Sequence, residues 1–414
     1  MKETNKANSN TVIFTVCNIA YLHKALVLAD SIYHNASYTL NVFIFDKKQD
    51  LNLSNENCVI HWMEDMKIPN FLHIAFKYDI IEFSTALKPY ITLELLNEYQ
   101  NVIFFDPDIY VYNNIDSILS DLAINSILLT PHYTTPQSNH ISESDTGMMR
   151  FGSFNLGFFA IRKSDQSLAF LNWWSRRCID LCFMESQFGL STDQKWVSIA
   201  PCFFWDIKVS FNPGYNVAPW NSWERHLRWE SNGSVKVNNN TELLFFHFSN
   251  FSMADPGYLN ARSTFETGVV RDDFLKIGIE YSNQLNIKLS KYISHSDVKY
   301  AYNYMSNGYY ISPLLRHAYS SMYDSLKHIN NPFDSTSLVY KFAKNNYLLY
   351  KNLSPLSYMK NNLNKKDGYS LEIKFMNFLL RLLLIIIGPN KFHIFSRGLV
   401  FFSSPRINKG LWKI

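Results

Sequence analysis

Apolar runs separated by a helical stretch limit what this chain can fold into. Residues 11–18, TVIFTVCN, read as a buried strand; 21–35, YLHKALVLADSIYHN, carry helical periodicity; 41–46, NVFIFD, form a second apolar run. SNENCVIHWM (54–63) holds a third. Such β-α-β alternation implies a parallel sheet with right-handed crossovers, an α/β fold. A helix is predicted over about 82–98, with Pro89 acceptable in its first turn. NVIFF (101–105), SILLTPH (126–132), FNLGFFAIR (154–162) and ELLFFHFS (242–249) read as strands, and 167–184 as an amphipathic helix. No internal repeat interrupts the series.

In open α/β sheets, ligands bind beyond the carboxyl ends of the strands. The polar residues there are Cys17, Asn18, Asp46, Asp106, Asp108, His132 and His247. The most pointed of these lie in NVIFFDPDIYVYNNI (101–115), where Pro107 separates two aspartates at a strand end. Pro107 keeps Asp106 out of the helical region, and alternate residues of an extended segment face one side. Two uncompensated carboxylates this close repel each other, and a hard divalent cation such as Mg²⁺ or Mn²⁺ resolves the conflict. An exposed acidic turn is the alternative.

Composition narrows the rest. Hydrophobic residues make up 47% and aromatics 16% of 414 residues, which excludes disorder throughout. Residues 360–414 hold ten Lys/Arg against Asp367 and Glu372, net +8; the preceding 359 residues hold 29 Lys/Arg and 33 Asp/Glu, net −4. An acidic body argues against nucleic acid as a partner. The five cysteines show no disulfide framework, and Cys178 and Cys182, four apart on a helix, read as buried thiols. The polar start, MKETNKANSN, has no apolar core of a signal peptide, so a cytoplasmic location is expected. From about 265 onward the pattern turns helical and rich in Tyr, Asn and Ser. Three segments follow: a ligand-binding domain over 1–265, a helical extension over 266–340 and a basic, aromatic tail over 341–414. The tail's apolar run, FMNFLLRLLLIII (375–387), is 13 residues long. A spanning helix needs about 20, so a membrane-surface segment is expected, with a helix packed on the main domain as the alternative.

Taken together, ALKPYITLELL, VIFFDPDIYVY, FNLGFFAIRKS, GLSTDQKWV, NPGYNVAPWN and FFHFSNF, in this order, resemble a bacterial family of GT-A glycosyltransferases. They are more distantly similar to the retaining family of lipooligosaccharide galactosyltransferases and glycogenin (glycosyltransferase family 8). The resemblance spans about 11–260 and implies a Rossmann-like mixed sheet flanked by helices, with a helical C-terminal extension. It implies that Asp106 and Asp108 bind a metal holding a nucleotide-sugar diphosphate, and that His247 completes the coordination. Asn155 would lie beside the donor sugar, Asp193 and Gln194 near the anomeric carbon, Lys88 facing the diphosphate, and Thr15, Cys17 and Asn18 around the nucleoside. A Lys-Pro-Trp segment that the distant relatives carry after the late histidine is missing. From the residues alone, Asp193 also reads as a helix cap, Lys88 as a solvated helix end, Asn155 as a bulge residue, and Trp220 and Trp223 as either core or sugar platforms. The implied activity is metal-dependent transfer of a sugar, UDP-linked and with retention, to a bacterial surface glycan or glycolipid on the inner face of the membrane. A sugar-phosphate nucleotidyltransferase is disfavoured because TVCNIAYLHK contains no Gly-rich loop. A membrane-bound scaffold with a decayed pocket is the non-catalytic alternative.

Overall fold

The computed structural model describes residues 10–350 and 371–413, apart from 52, 54, 55, 137–144, 239, 254, 256, 258, 260–268 and 293–297. The N-terminal nine residues and the basic stretch 351–370 therefore lie outside the described residues. The chain forms two compact units, one of 1–69 with 80–301 and one of 70–79 with 302–414.

The larger unit is the expected mixed sheet flanked by helices. β1 (Thr11–Cys17), α1 (Leu22–Ala36), β2 (Leu40–Ile44) and β3 (Cys58–Trp62) realise the predicted alternation. After α2 (Phe71–Lys77), which belongs to the smaller unit, the predicted helix over 82–98 is two: α3 (Ile80–Ala86) and α4 (Lys88–Leu95). Pro89 in the first turn of α4 has no helical acceptor to lose, so the chain restarts there rather than running through. β4 (Asn101–Phe105), β5 (Ile109–Val111), α5 (Asp116–Ile124), β6 (Ile127–Pro131), α6 (Asp145–Phe151), β7 (Phe154–Arg162), α7 (Asp165–Leu181), α8 (Gln194–Val197) and β8 (Ile207–Val209) follow. The main sheet runs β3-β2-β1-β4-β7-β6-β8. β3 to β4 are parallel, and β7 lies antiparallel between β4 and β6. Every residue of β1, and Val102–Phe105 of β4, is buried. These strands are sandwiched, which is why their sequences read as unbroken apolar runs. Phe14, Phe104 and Phe159 stack across three neighbouring strands with ring centroids 5.0 Å apart in successive pairs.

The predicted strand over 242–249 is divided. β9 (Leu227–Trp229), β10 (Val235–Val237) and β11 (Thr241–Glu242) form one small antiparallel sheet, while β12 (Phe245–His247) pairs antiparallel with β5. Between them, Leu244 N–H donates to Gly214 O at 2.9 Å, and the chain transfers from one sheet to the other. A Cβ on Gly214 would stand 2.0 Å from Glu242 O, so only glycine permits this approach. A long helix, α9 (Asp272–Lys291), packs beside α1.

In the smaller unit, Arg316 is 1% exposed. Its guanidinium donates to Ala75 O (2.9 Å), Phe76 O (3.0 Å) and Tyr78 O (2.5 Å) at the end of α2, and to Tyr302 O (2.7 Å). A buried cation thus satisfies the carbonyls that a helix C-terminus leaves open. The C-terminal helix, Leu371–Phe402, is interrupted at Gly388 (φ 77°) and Pro389. Its stretch Lys374–Phe402, 29 residues long, contains an 18-residue window of mean hydropathy 1.6, enough to cross a membrane by length and composition only. That length joins two helical segments across the kink at Gly388 and Pro389, and the 13-residue apolar run read from sequence lies wholly in the first.

Candidate metal centre

The main-sheet strand β4 ends at Phe105, and β5 begins at Ile109 in a different sheet. The four residues Asp106–Ile109 make the connection as a turn: Ile109 N–H donates to Asp106 O at 3.1 Å, with Pro107 at the position where its fixed φ is favoured. The extended geometry expected from Pro107 is therefore replaced by a turn, and the two carboxylates converge across it. Two further backbone bonds fix them. Asp106 N–H donates to Gly157 O (2.7 Å) and Phe248 N–H to Asp108 O (2.8 Å).

The second bond belongs to the β5–β12 pairing, which sets His247 opposite Ile109. His247 Nε2 lies 3.1 Å from Asp108 Oδ1 and 3.9 Å from Asp106 Oδ2. One ligand atom from each of the three residues falls within 4.8 Å of the others. A Cβ on Gly157 would sit 2.3 Å from His247 Cε1 and 2.6 Å from Nδ1. The glycine of FNLG is thus the floor on which the imidazole lies. Trp220 meets the same ring edge-on at 5.0 Å, and His132 meets Trp220 at 5.8 Å. His247 Nδ1 is buried without a hydrogen-bond partner. Two carboxylates and one imidazole suit Mg²⁺ or Mn²⁺, and Nε2 is the nitrogen that faces the acids.

Lys88 is not a solvated helix end. It is 4% exposed. Its Nζ donates to Asp106 Oδ1 (3.1 Å) and Leu156 O (2.9 Å) and lies 3.7 Å from Asp193 Oδ2. Burial opposes its charge, but Asp106 and Asp193 outweigh burial and hold its pKa above the ordinary value. Asp193 shows the converse. Burial raises its pKa, Lys88 pulls against that, and Asp106 adds to it. Burial also works against the Asp108 carboxylate, yet His247 and then Lys24 prevail and hold its pKa down at about 2. Burial pushes the His132 imidazole down to about 4, and His247 adds to the effect.

The remaining predicted residues divide. Asp193 heads α8 but makes no capping bond; its Oδ1 accepts from Thr192 Oγ1 at 3.2 Å, and its Oδ2 faces Lys88. Asn155 Oδ1 accepts from Gly157 N–H and from Asn216 Nδ2, each at 3.1 Å, so Asn155 braces the glycine under His247. Asn216, in the quoted NPGYNVAPWN, holds φ 53° and also donates to Thr130 Oγ1 (3.1 Å). Gln194 Nε2 donates to Phe151 O at 3.2 Å. Thr15 and Cys17 are buried at the end of β1, and Asn18 caps the next turn by accepting from Tyr21 N–H at 3.2 Å. Trp220 is buried, and Trp223 packs on Tyr133 at 5.7 Å. The sequence reading missed Lys24, whose helical surroundings give no sign of its burial.

No family model matches the chain. The chain is 25% identical to YfnF, an uncharacterized protein of Bacillus subtilis (strain 168), over 176 residues, 42% of this chain and 58% of YfnF. The match thus spans less than two thirds of that relative. Similar solved structures include the galactosyltransferase LgtC in complex with donor and acceptor sugar analogs (16% identity, 50% of this chain and 75% of LgtC, TM-score 0.33). The glycosyltransferase GlyE of Streptococcus pneumoniae TIGR4 aligns over 69% of this chain and 65% of its own (14% identity, TM-score 0.38). The bifunctional glycosyltransferase WbbM aligns over 68% and 52% (12% identity, TM-score 0.38).

Proposed function

We propose that the protein is a metal-dependent glycosyltransferase of GT-A type, moving a sugar from a nucleoside-diphosphate donor to a surface glycan or glycolipid. The observation that carries this reading is the convergence of Asp106, Asp108 and His247 beyond the end of β4, with the buried ammonium of Lys88 on Asp106.

Cleaving a sugar–diphosphate bond develops negative charge on the departing phosphate. A divalent cation held by Asp106, Asp108 and His247 supplies Lewis-acid stabilisation of that charge. The chain's own contribution is preorganisation. Lys88 fixes Asp106 by a charged hydrogen bond, Gly157 and Trp220 fix the His247 ring, and Asn155 and Asn216 fix Gly157. To Asp193, held beside Lys88, this reading gives the part of orienting the donor through its sugar hydroxyls. UDP as the nucleotide and retention of configuration belong to this proposal through the resemblance of the motifs.

The C-terminal helix supports attachment to a membrane surface. Phe375, Phe378, Ile385, Ile386, Ile394 and Phe402 are all exposed, beside Arg381, Lys391 and Arg397. The larger unit is proposed as the catalytic body.

Slow donor hydrolysis in the presence of Mn²⁺, followed by NMR, tests the catalytic claim. Wild-type protein is expected to release sugar from one UDP-sugar, and Asp108→Ala, folded by circular dichroism, to lose at least about 100-fold in rate. Full activity of Asp108→Ala, or of wild type in excess chelator, overturns it.

A further inference from the structure

Lys24 is a buried lysine with no hydrogen bond or ion pair among the described residues. Its side chain is 7% exposed, and its Nζ lies over the Tyr21 ring at 4.5 Å. Its position follows from how α1 meets β5. Val111 N–H donates to Ser31 Oγ at 3.1 Å, and Asn35 Nδ2 donates to Val111 O at 3.0 Å. Lys24 precedes Ser31 by seven residues, two helical turns, so it shares that face about 10 Å back along the axis. The three residue steps from Val111 back to Asp108 span at most about the same distance. Lys24 and Asp108 accordingly feel each other's charge, and so do Tyr21 and Asp108.

Charge balance shows what this ammonium is for. Asp106, Asp108 and Asp193 carry three negative charges at most. Lys88 and a divalent cation neutralise all three. Burial disfavours the Lys24 ammonium, and Lys24 is then a surplus positive charge whose field reaches Asp108. Such a charge is costly unless an anion lies between it and the cation. Lys24 faces Asp108 from α1, whereas Lys88 faces Asp106 from α4.

We infer that Lys24 is a phosphate-binding residue, which grips the donor diphosphate from the α1 side of the metal centre. This rests on the glycosyltransferase reading and deepens it. It makes a prediction of opposite signs. Without nucleotide, Lys24 repels the incoming cation; with nucleotide, it attracts the diphosphate.

The test uses the full-length chain. Mn²⁺ binding is measured alone by electron paramagnetic resonance, and UDP and inorganic pyrophosphate binding at saturating Mn²⁺ by calorimetry. In Lys24→Met, Mn²⁺ alone is expected to bind two- to tenfold more tightly, and UDP and pyrophosphate at least tenfold more weakly. Lys24→Arg, which keeps the charge, is expected to recover most of the UDP affinity. A parallel loss of Mn²⁺ and UDP affinity in Lys24→Met assigns Lys24 to merely positioning Asp108 and overturns the inference, as does unchanged UDP affinity. Wild type that binds Mn²⁺ but neither UDP, GDP nor pyrophosphate overturns the glycosyltransferase reading along with it. Wild type that binds UDP while Lys24→Met is unaffected overturns the Lys24 assignment alone.

Discussion

At the scale of single residues, the candidate metal centre is shaped by residues outside its ligand set. Gly157 leaves no room for a methyl group, since a Cβ there would lie 2.3 Å from His247 Cε1. Gly157→Ala is expected to push the imidazole off its floor. Mn²⁺ affinity should fall at least about tenfold, while overpacking costs about 1–3 kcal/mol of stability. Calorimetric titration of Mn²⁺ alongside urea denaturation checks both; unchanged affinity would show that His247 is not held from below. Lys88 poses the opposite problem. Truncating it strands Asp193 and Asp106 without their shared cation, and loss of one partner of a buried ion pair costs about 3–5 kcal/mol. Lys88→Met is therefore expected to lower the urea midpoint strongly, by a measure that an exposed lysine at a helix start would not reach.

At the scale of elements, α9 is fastened to the chain ahead of β3 by one acid. Glu56 accepts from Lys288 (2.5 Å), Lys291 (2.7 Å) and Tyr292 (2.7 Å), and Lys288 also pairs with Asp30 of α1 at 2.7 Å. Burial raises the Glu56 pKa, but the three donors outweigh it and hold it below the ordinary carboxylate value. A depressed folded-state pKa contributes stability that is fully present above the unfolded value and is lost as pH falls through the folded one. Glu56→Gln is thus expected to be less stable than wild type at pH 7 by roughly 1–3 kcal/mol, with the gap closing below about pH 4. Urea midpoints of both proteins across pH 3–7 provide the check, and a gap independent of pH would contradict the linkage. In the smaller unit, Arg316 plays a comparable part by closing α2 through three carbonyls, those of Ala75, Phe76 and Tyr78.

At the scale of the whole molecule, much of the fold was legible because sandwiched strands write themselves as apolar runs. TVIFTVC, NVFIF, NVIFF and FNLGFFAIR all became strands of one sheet. Less legible was anything decided by what covers it. Asp106-Pro107-Asp108 reads as extended chain but is a turn, since its two flanking strands belong to different sheets. ELLFFHFS reads as one strand but serves two sheets, because Gly214 takes the backbone of Leu244. Lys24 escaped the sequence reading, because no local pattern announces its burial in the fold. The C-terminal helix carries its own expectation. Replacing Leu382, Ile385 and Ile386 together by Glu in the full chain should abolish sedimentation with anionic vesicles while leaving Mn²⁺-dependent UDP binding intact. Persistent sedimentation would place the lipid contact elsewhere.

The central claim is that Asp106, Asp108 and His247 hold a cation that in turn holds a nucleoside diphosphate. A thermal-shift measurement with UDP-sugars, with and without Mn²⁺, in wild type and in Asp106→Ala/Asp108→Ala addresses it most directly, since a ligand bound only by the folded state raises its melting temperature. The account predicts a shift in wild type with at least one UDP-sugar, only when Mn²⁺ is present, and none in the double variant. An equal shift without Mn²⁺, or one retained by the folded double variant, would contradict it.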